Sequence, residues 1–144
     1  MSALSIEQIR PELTWRLRNK VLYPHKKLYE MEMEEDSNGI HFGAFKDNLL
    51  VAVVSMFPNE GEFQFRKLAV DPAYQKQGIG SSVLEYITDF AKADGAARLW
   101  CNARVSALGF YLKEGFLTTG KVFTRDGFDY EIIEKPWHNN SKPD

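Results

Sequence analysis

Apolar and polar positions along the 144-residue chain switch between two periods, and the switches mark out its elements. "LSIEQIR" alternates weakly and reads as a first strand. In "PELTWRLRNKVLY", Pro11 suits a helix's first turn, and Leu13, Leu17 and Val21 recur at helical spacing until Pro24 ends the element. "KLYEMEMEEDSNG" fits neither period and closes in a turn signal at Ser37, Asn38 and Gly39. "IHFGAFK" and "LLVAVVSMF", separated by Asp47 and Asn48, predict a hairpin. After "PNEGE", the stretch "FQFRKLAV" predicts another strand, stopped by Asp71 and Pro72.

The clearest helix carries Ile79, Val83, Leu84, Ile87, Phe90 and Ala91 on one face, with Gly95 as its stop. "ARLWCNA" then reads as a strand and "SALGFYLKEG" as a short helix ending at Gly115. "FLTTGKVFT" and "FDYEIIEKPW" flank "RDG" as a final hairpin. The order β-α-(α)-β-β-β-α-β-α-β-β predicts an α/β fold. Its mixed central sheet is flanked by helices and built around one strand–helix–strand unit at residues 63–103. Residues 1–137 read as a single domain, and the polar tail 138–144 is expected to fray.

Composition narrows the class. Hydrophobic residues make up 44% and charged residues 26%, which is ordinary for a globular domain able to bury a core. A net charge of −2 without a basic run argues against nucleic acid and against an anionic membrane as partners. The apolar run at 49–57 is far too short to span a bilayer, and "MSALSIEQIRPEL" is too polar for a signal peptide. The single cysteine, Cys101, excludes an internal disulfide and fits a reducing compartment, so the expected location is cytoplasmic. Cys101 itself reads as a buried strand residue. No metal site is assigned, and a homodimer is left open, since nothing in the sequence sets oligomeric state.

"QKQGIGSSV", residues 75–83, places Gly78 and Gly80 where the long helix begins. A phosphate-binding P-loop needs a Lys-Ser/Thr pair after the second glycine, and Ser81-Ser82 has no lysine. A dinucleotide fingerprint needs a third glycine where Val83 stands, in a loop that follows its strand directly. A plain tight turn is the bland reading. Against it, no acidic residue lies between Gln75 and Leu84, although a helix N-terminus favours one, and Lys76 adds positive charge. Free amides, close backbone approach and no nearby carboxylate in sequence describe an anion site suited to a pyrophosphate.

"LAVDPAYQKQGIGSSVLEYI" resembles the acetyl-CoA-binding motif of the GNAT superfamily of N-acetyltransferases, Gln/Arg-x-x-Gly-x-Gly/Ala, with Gln75, Gly78 and Gly80 filling it. "ARVSALGFYLKEGF" resembles the same superfamily's second motif, a helix carrying "FY" that leads to "GF". The resemblance spans residues 40–136 and implies a GNAT-like fold with acetyl-CoA as cosubstrate and an amine as acceptor. It also implies that main-chain groups of Leu68, Ala69 and Val70 hold the pantetheine arm. The amides of Gln77, Gly78, Ile79, Gly80 and Ser81 would hold the pyrophosphate, with Gln75 and Lys76 as further cofactor-binding candidates. Tyr111, the tyrosine of "FY", would protonate the departing thiolate, a role for which a phenol tuned slightly downward is expected.

The chain departs from the pattern at two places. Many relatives carry a glutamate on the central strand as general base, where this chain has Gln64; Glu62, on the same strand face, is ranked first as its replacement and His41 second. Some relatives carry an asparagine against the cofactor where Arg104 stands here, with Asn102 close by; both are candidate cofactor contacts, and Arg104 reads as a partner for a phosphate or a substrate carboxylate, with capping of the strand end as the bland alternative. Arg16 and Arg18 fall on the helix that faces the acceptor in relatives. The acidic run at 30–36 is a candidate attractor for a cationic amine, with a solvated surface as the bland alternative. The expected function is acetyl transfer to a primary amine by direct attack; the alternative is a non-catalytic acyl-CoA-binding module.

Overall fold

The computed structural model describes residues 3–137, so the tail expected at 138–144 lies outside the described residues. Seven strands form one sheet: β1 (Leu4–Ile9), β2 (Ile40–Lys46), β3 (Leu49–Asn59), β4 (Glu62–Val70), β5 (Arg98–Arg104), β6 (Leu117–Arg125) and β7 (Phe128–Pro136). Their spatial order is β1-β2-β3-β4-β5-β7-β6. Each neighbouring pair is antiparallel except β4 and β5, which are parallel and joined by the helix α2 (Ile79–Ala93). The three tight hairpins share one turn chemistry. Asp47 and Asn48, Glu60 and Gly61, and Asp126 and Gly127 all have positive φ, the geometry whose twist matches paired strands.

α2 lays Val83, Leu84, Ile87 and Ala91 on Phe42, Phe63, Phe65 and Leu99 of the sheet. Phe90 sits edge-on to Phe42 at 5.2 Å and to Phe63 at 6.1 Å between ring centroids. The opposite sheet face carries a smaller cluster, Leu17 with Val53 and Ala69.

The first helix differs from its predicted form. A 3-10 turn (Pro11–Thr14), one α-turn α1 (Trp15–Leu17) and a π-turn (Arg18–Leu22) follow one another, so no single stripe persists. Leu13 is 41% exposed while Thr14 and Arg18 are buried. The Thr14 hydroxyl donates to the Pro11 carbonyl at 2.6 Å, which tightens the first turn. The ambiguous stretch that follows folds as two 3-10 turns, Leu28–Met31 and Glu34–Asn38.

Candidate active site

β4 and β5 are paired only at Phe63↔Leu99 and Gln64↔Trp100. Beyond those pairs the strands part, and the β5-facing backbone of β4 from Phe65 onward has no strand partner among the described residues. β4 also carries one extra residue against β3, since the register passes from Ser55↔Arg66 to Val53↔Ala69. Lys67 sits in this bulge at φ 60°, a conformation that is costly for a residue with a side chain. A bulge bends its strand and re-aims a side chain. The opening is a cleft of about 470 Å³, with Gln64, Lys67, Asn102, Arg104, Tyr111 and Tyr130 among its walls.

At the end of β4 the chain turns through Asp71–Gly78 into α2. Gln75 donates its side-chain amide to the Val70 carbonyl at 3.0 Å and so pins the loop to the strand. Gly78 caps α2 at φ 80°, with open space where a Cβ would stand. Gly80 serves a different need: an added Cβ would lie 3.2 Å from Phe110 Cζ, so glycine lets α2 approach the "FY" helix α3 (Leu108–Lys113). The amides of Ile79, Gly80 and Ser81 are first-turn donors without intrahelical acceptors. Lys46 donates to the Gln77 side chain at 2.9 Å and adds a cation to Lys76 beside this corner. The folded chain also brings a carboxylate that the local sequence lacks, because the Ser81 hydroxyl donates to Glu114 at 2.6 Å.

The side chains of Leu68 and Val70 pack on the main core and Ala69 on the smaller cluster, and of the three only Leu68 lines the cleft. Tyr111 stands on α3 among Phe65, Phe110 and Phe116, with centroids 5.8, 5.1 and 5.9 Å away. Its hydroxyl makes no hydrogen bond among the described residues. Burial, with a small addition from Cys101, pushes the phenol above its ordinary value, opposite to the downward tuning expected. Cys101 is buried and its thiol is likewise pushed up, so it is inert as a nucleophile.

Glu62 is not brought to the cleft. It lies before the last β4–β5 pair, at the closed end of the fork, 3.1 Å from Arg98 Nε, while Arg98 also holds Glu134 at 2.6 Å. His41 is buried, with Nδ1 2.7 Å from Ser55 Oγ and Nε2 2.9 Å from the Asp36 carbonyl, so its ring is engaged on both sides. Arg18 points inward: it donates to both Asp36 carboxylate oxygens, to the Met31 carbonyl and to Ser55. Arg16 is spent on the Leu50 carbonyl at 2.7 Å and on Asp71.

The acidic run is dispersed. Asp36 is in the Arg18 pair, Glu35 pairs with Arg66 at 3.0 Å, and Glu30 accepts from the Lys27 amide. No residue of the run lines the cleft. What does line it, and was not singled out from sequence, is Tyr23 with Lys67, Arg125 and Tyr130. The readable signal was "FRKL": Phe63 and Phe65 face the core, so Lys67 would follow them inward unless a bulge intervened.

A family model described as "Acetyltransferase (GNAT) domain" matches residues 7–133. An uncharacterized N-acetyltransferase of Bacillus subtilis, YitI, is 27% identical over 139 residues, covering 90% of this chain and 93% of its own. A GNAT family acetyltransferase from Elizabethkingia anophelis, solved with acetyl-CoA bound, aligns at TM-score 0.74 and 19% identity, over 93% of this chain and 98% of its own. The ribosomal-protein-S18-alanine N-acetyltransferase of Escherichia coli aligns at TM-score 0.76 and 20% identity, over 96% and 98%.

Proposed function

Because the chain belongs to the GNAT family of acetyltransferases, with acetyl-CoA as donor, we propose that it acetylates a primary amine by direct attack within the β4–β5 cleft. The observation that carries this reading is the fork itself. β4 backbone without a β5 partner runs along one wall of the opening and Tyr111 stands in the other, while the free first-turn amides of α2 follow the end of β4 in the chain.

The residues fit a CoA thioester. An extended arm can be hydrogen-bonded by the β4 main chain at Leu68, Ala69 and Val70 as an added strand would be. A pyrophosphate suits the corner from Gln75 to Ser81, where amides and Lys76 supply positive potential and Gly78 leaves room. Gln75 acts there by holding the loop to Val70. Asn102 borders the cleft from β5 and is the candidate cofactor contact on that side, while Arg104 beside it is left for the acceptor. When bound, the thioester supplies an activated acyl carbon and a thiolate leaving group.

Tyr111 keeps its proton well above neutral pH, since burial raises the phenol. Its contribution is therefore a hydrogen bond offered to the departing sulfur, with complete proton transfer uphill. Glu62 takes no part, and Asp126 is the one carboxylate lining the cleft among the described residues. The alternative of a non-catalytic acyl-CoA-binding module has only Gln64 in its favour.

The test is thiol release from acetyl-CoA across amines, amino acids, polyamines and peptides. Acceptor-dependent release with an acetylated product by mass spectrometry supports enzyme action. Calorimetric acetyl-CoA binding without turnover on any acceptor would favour the binding module.

A further inference from the structure

The cleft carries a charge pattern that nothing in the acetyl-transfer reading requires. Four cations, Arg66, Lys67, Arg104 and Arg125, line it against the single carboxylate of Asp126, in a chain whose net charge is −2. Arg66 is spent on Glu35. Among the described residues, Lys67, Arg104 and Arg125 have no ion-pair partner. They rest on aromatic rings instead. Arg104 lies 4.0 Å over Phe128, Arg125 lies 5.1 Å over Phe123, and Lys67 lies 4.5 Å over Tyr23 while donating to its hydroxyl. A guanidinium stacked on a ring is held flat, with its edge N–H groups free for an oxyanion.

We propose that the acceptor amine carries an anionic group, a carboxylate or phosphate a few bonds from its nitrogen, which Arg104, Lys67 and Arg125 bind. The proposal rests on the acetyl-transfer reading of this cleft and adds its substrate class. Three features of different kinds agree with it. The bulge spends an unfavourable backbone conformation to turn Lys67 toward the opening. The cations come from β4, β5 and β6, so their convergence follows from the fork and the hairpin rather than from one charged segment. Tyr23 records the field: burial would raise its phenol, yet the hydrogen bond and charge of Lys67, helped by Arg104 and Lys26, hold it below its ordinary value.

The same field bears on the proton. A polyamine or other cationic acceptor is repelled, whereas an amine with an acidic group enters neutral or anionic. Once the anion is paired, the remaining positive potential favours the free amine over the ammonium, which eases the lack of a base at Gln64. The balance is simple. The amine lone pair forms the N–C bond, the C–S bond breaks, the thiolate takes a proton, and the ammonium's surplus proton goes to solvent.

The experiment uses the full chain with acetyl-CoA and matched acceptors: glycine against glycinamide, phenylalanine against phenylalaninamide, phosphoethanolamine against ethanolamine, and spermidine. Amino-acid amides are the less basic amines, so intrinsic reactivity works against the expected order. The anion-bearing member should lead by about tenfold or more in kcat/KM, and the lead should shrink in high salt. The carboxylate and phosphate arms tell which anion is preferred. Arg104→Gln and Arg125→Gln should each raise the KM of the anionic acceptor and leave the KM of acetyl-CoA within about twofold. Equal or better use of the amides or spermidine overturns the proposal. So does an Arg104→Gln defect confined to acetyl-CoA. If no amine turns over, the acetyl-transfer reading fails separately. Calorimetry of the same pairs on CoA-saturated protein then decides, tighter binding of the anionic member supporting the proposal and equal binding overturning it.

Discussion

Replacing Asp36 with alanine should be among the most damaging single changes in the chain, although Asp36 touches neither cleft nor helix α2. Arg18 is 1% exposed, and its two Nη groups donate to Asp36 at 2.9 and 3.0 Å, Met31 at 2.9 Å and Ser55 at 2.9 Å, while its buried Nε has no hydrogen-bond partner among the described residues. Removing the carboxylate leaves a buried cation with two neutral acceptors, which costs ~3–5 kcal/mol. A domain of this size is stable by only ~5–15 kcal/mol. At ~2–4 °C per kcal/mol, Asp36→Ala should lower Tm by about 6–20 °C. The double replacement Arg18→Met with Asp36→Leu removes both charges and should be milder than either single change. The pair also has a pH signature. Burial alone would raise the Asp36 carboxyl, but Arg18 and the Met33 amide more than reverse this, so its folded value lies below the unfolded one near ~3.9. The stabilisation is therefore complete above the unfolded value and lost as pH falls through the folded one, and Asp36→Asn should flatten that acid limb. Calorimetric unfolding of the wild type, Asp36→Ala, Asp36→Asn, Arg18→Met, Asp36→Leu and the double variant between neutral and acid pH checks each step. A loss under about 1 kcal/mol in Asp36→Ala, or a double variant as weak as the sum of its parts, would refute the reasoning.

Two further perturbations probe the cofactor wall. Gly78→Ala places a Cβ at φ 80° for a strain of ~1–2 kcal/mol, and Gly80→Ala presses on Phe110; the double variant should stay folded yet lose acetyl-CoA affinity by about tenfold or more. Unchanged calorimetric affinity would remove the pyrophosphate from the Gln75–Ser81 corner. Tyr111→Phe should lower kcat by about 10²-fold or more and barely move acetyl-CoA affinity, because it deletes only the hydroxyl from an aromatic nest. A wild-type single turnover would make Tyr111 a packing residue.

Much of the fold was legible because its regular elements bury one face each. The six apolar positions of α2 reach the core as their spacing demands, and the positive-φ turn pairs at 47–48, 60–61 and 126–127 carry Asp, Asn or Gly at every position except Glu60. The first helix was misread for a specific reason. Its stripe assumed one pitch, but the segment changes from 3-10 to α to π within residues 11–22, which carries Leu13 outward and Arg18 inward. No local rule announces a buried arginine, since the carboxylate that makes it tolerable lies 18 residues away in a 3-10 turn.

The candidate site divides along the same line, between what backbone does and what side chains do. Gly78 was readable because a glycine at a helix start records a backbone requirement in the residue itself, whereas the need at Gly80, room for Phe110, lies in another helix. Glu62 was misplaced although its strand face was rightly read. Alternation gives the face of a strand but not the point at which two strands separate, and β4 and β5 separate after Gln64, two residues too late for Glu62. Apart from Arg104, the cationic wall was invisible for a related reason. Arg104, Arg125, Lys67 and Tyr23 lie far apart in the chain, and only the fork and the last hairpin bring them to one opening. Even so, a break in alternation at "FRKL" was present in the sequence. Had Lys67 kept the register of Phe63 and Phe65, an ammonium would lie in the aromatic core beneath α2. A bulge is the cheaper outcome, and it is the bulge that turns the central strand's charge toward the cleft.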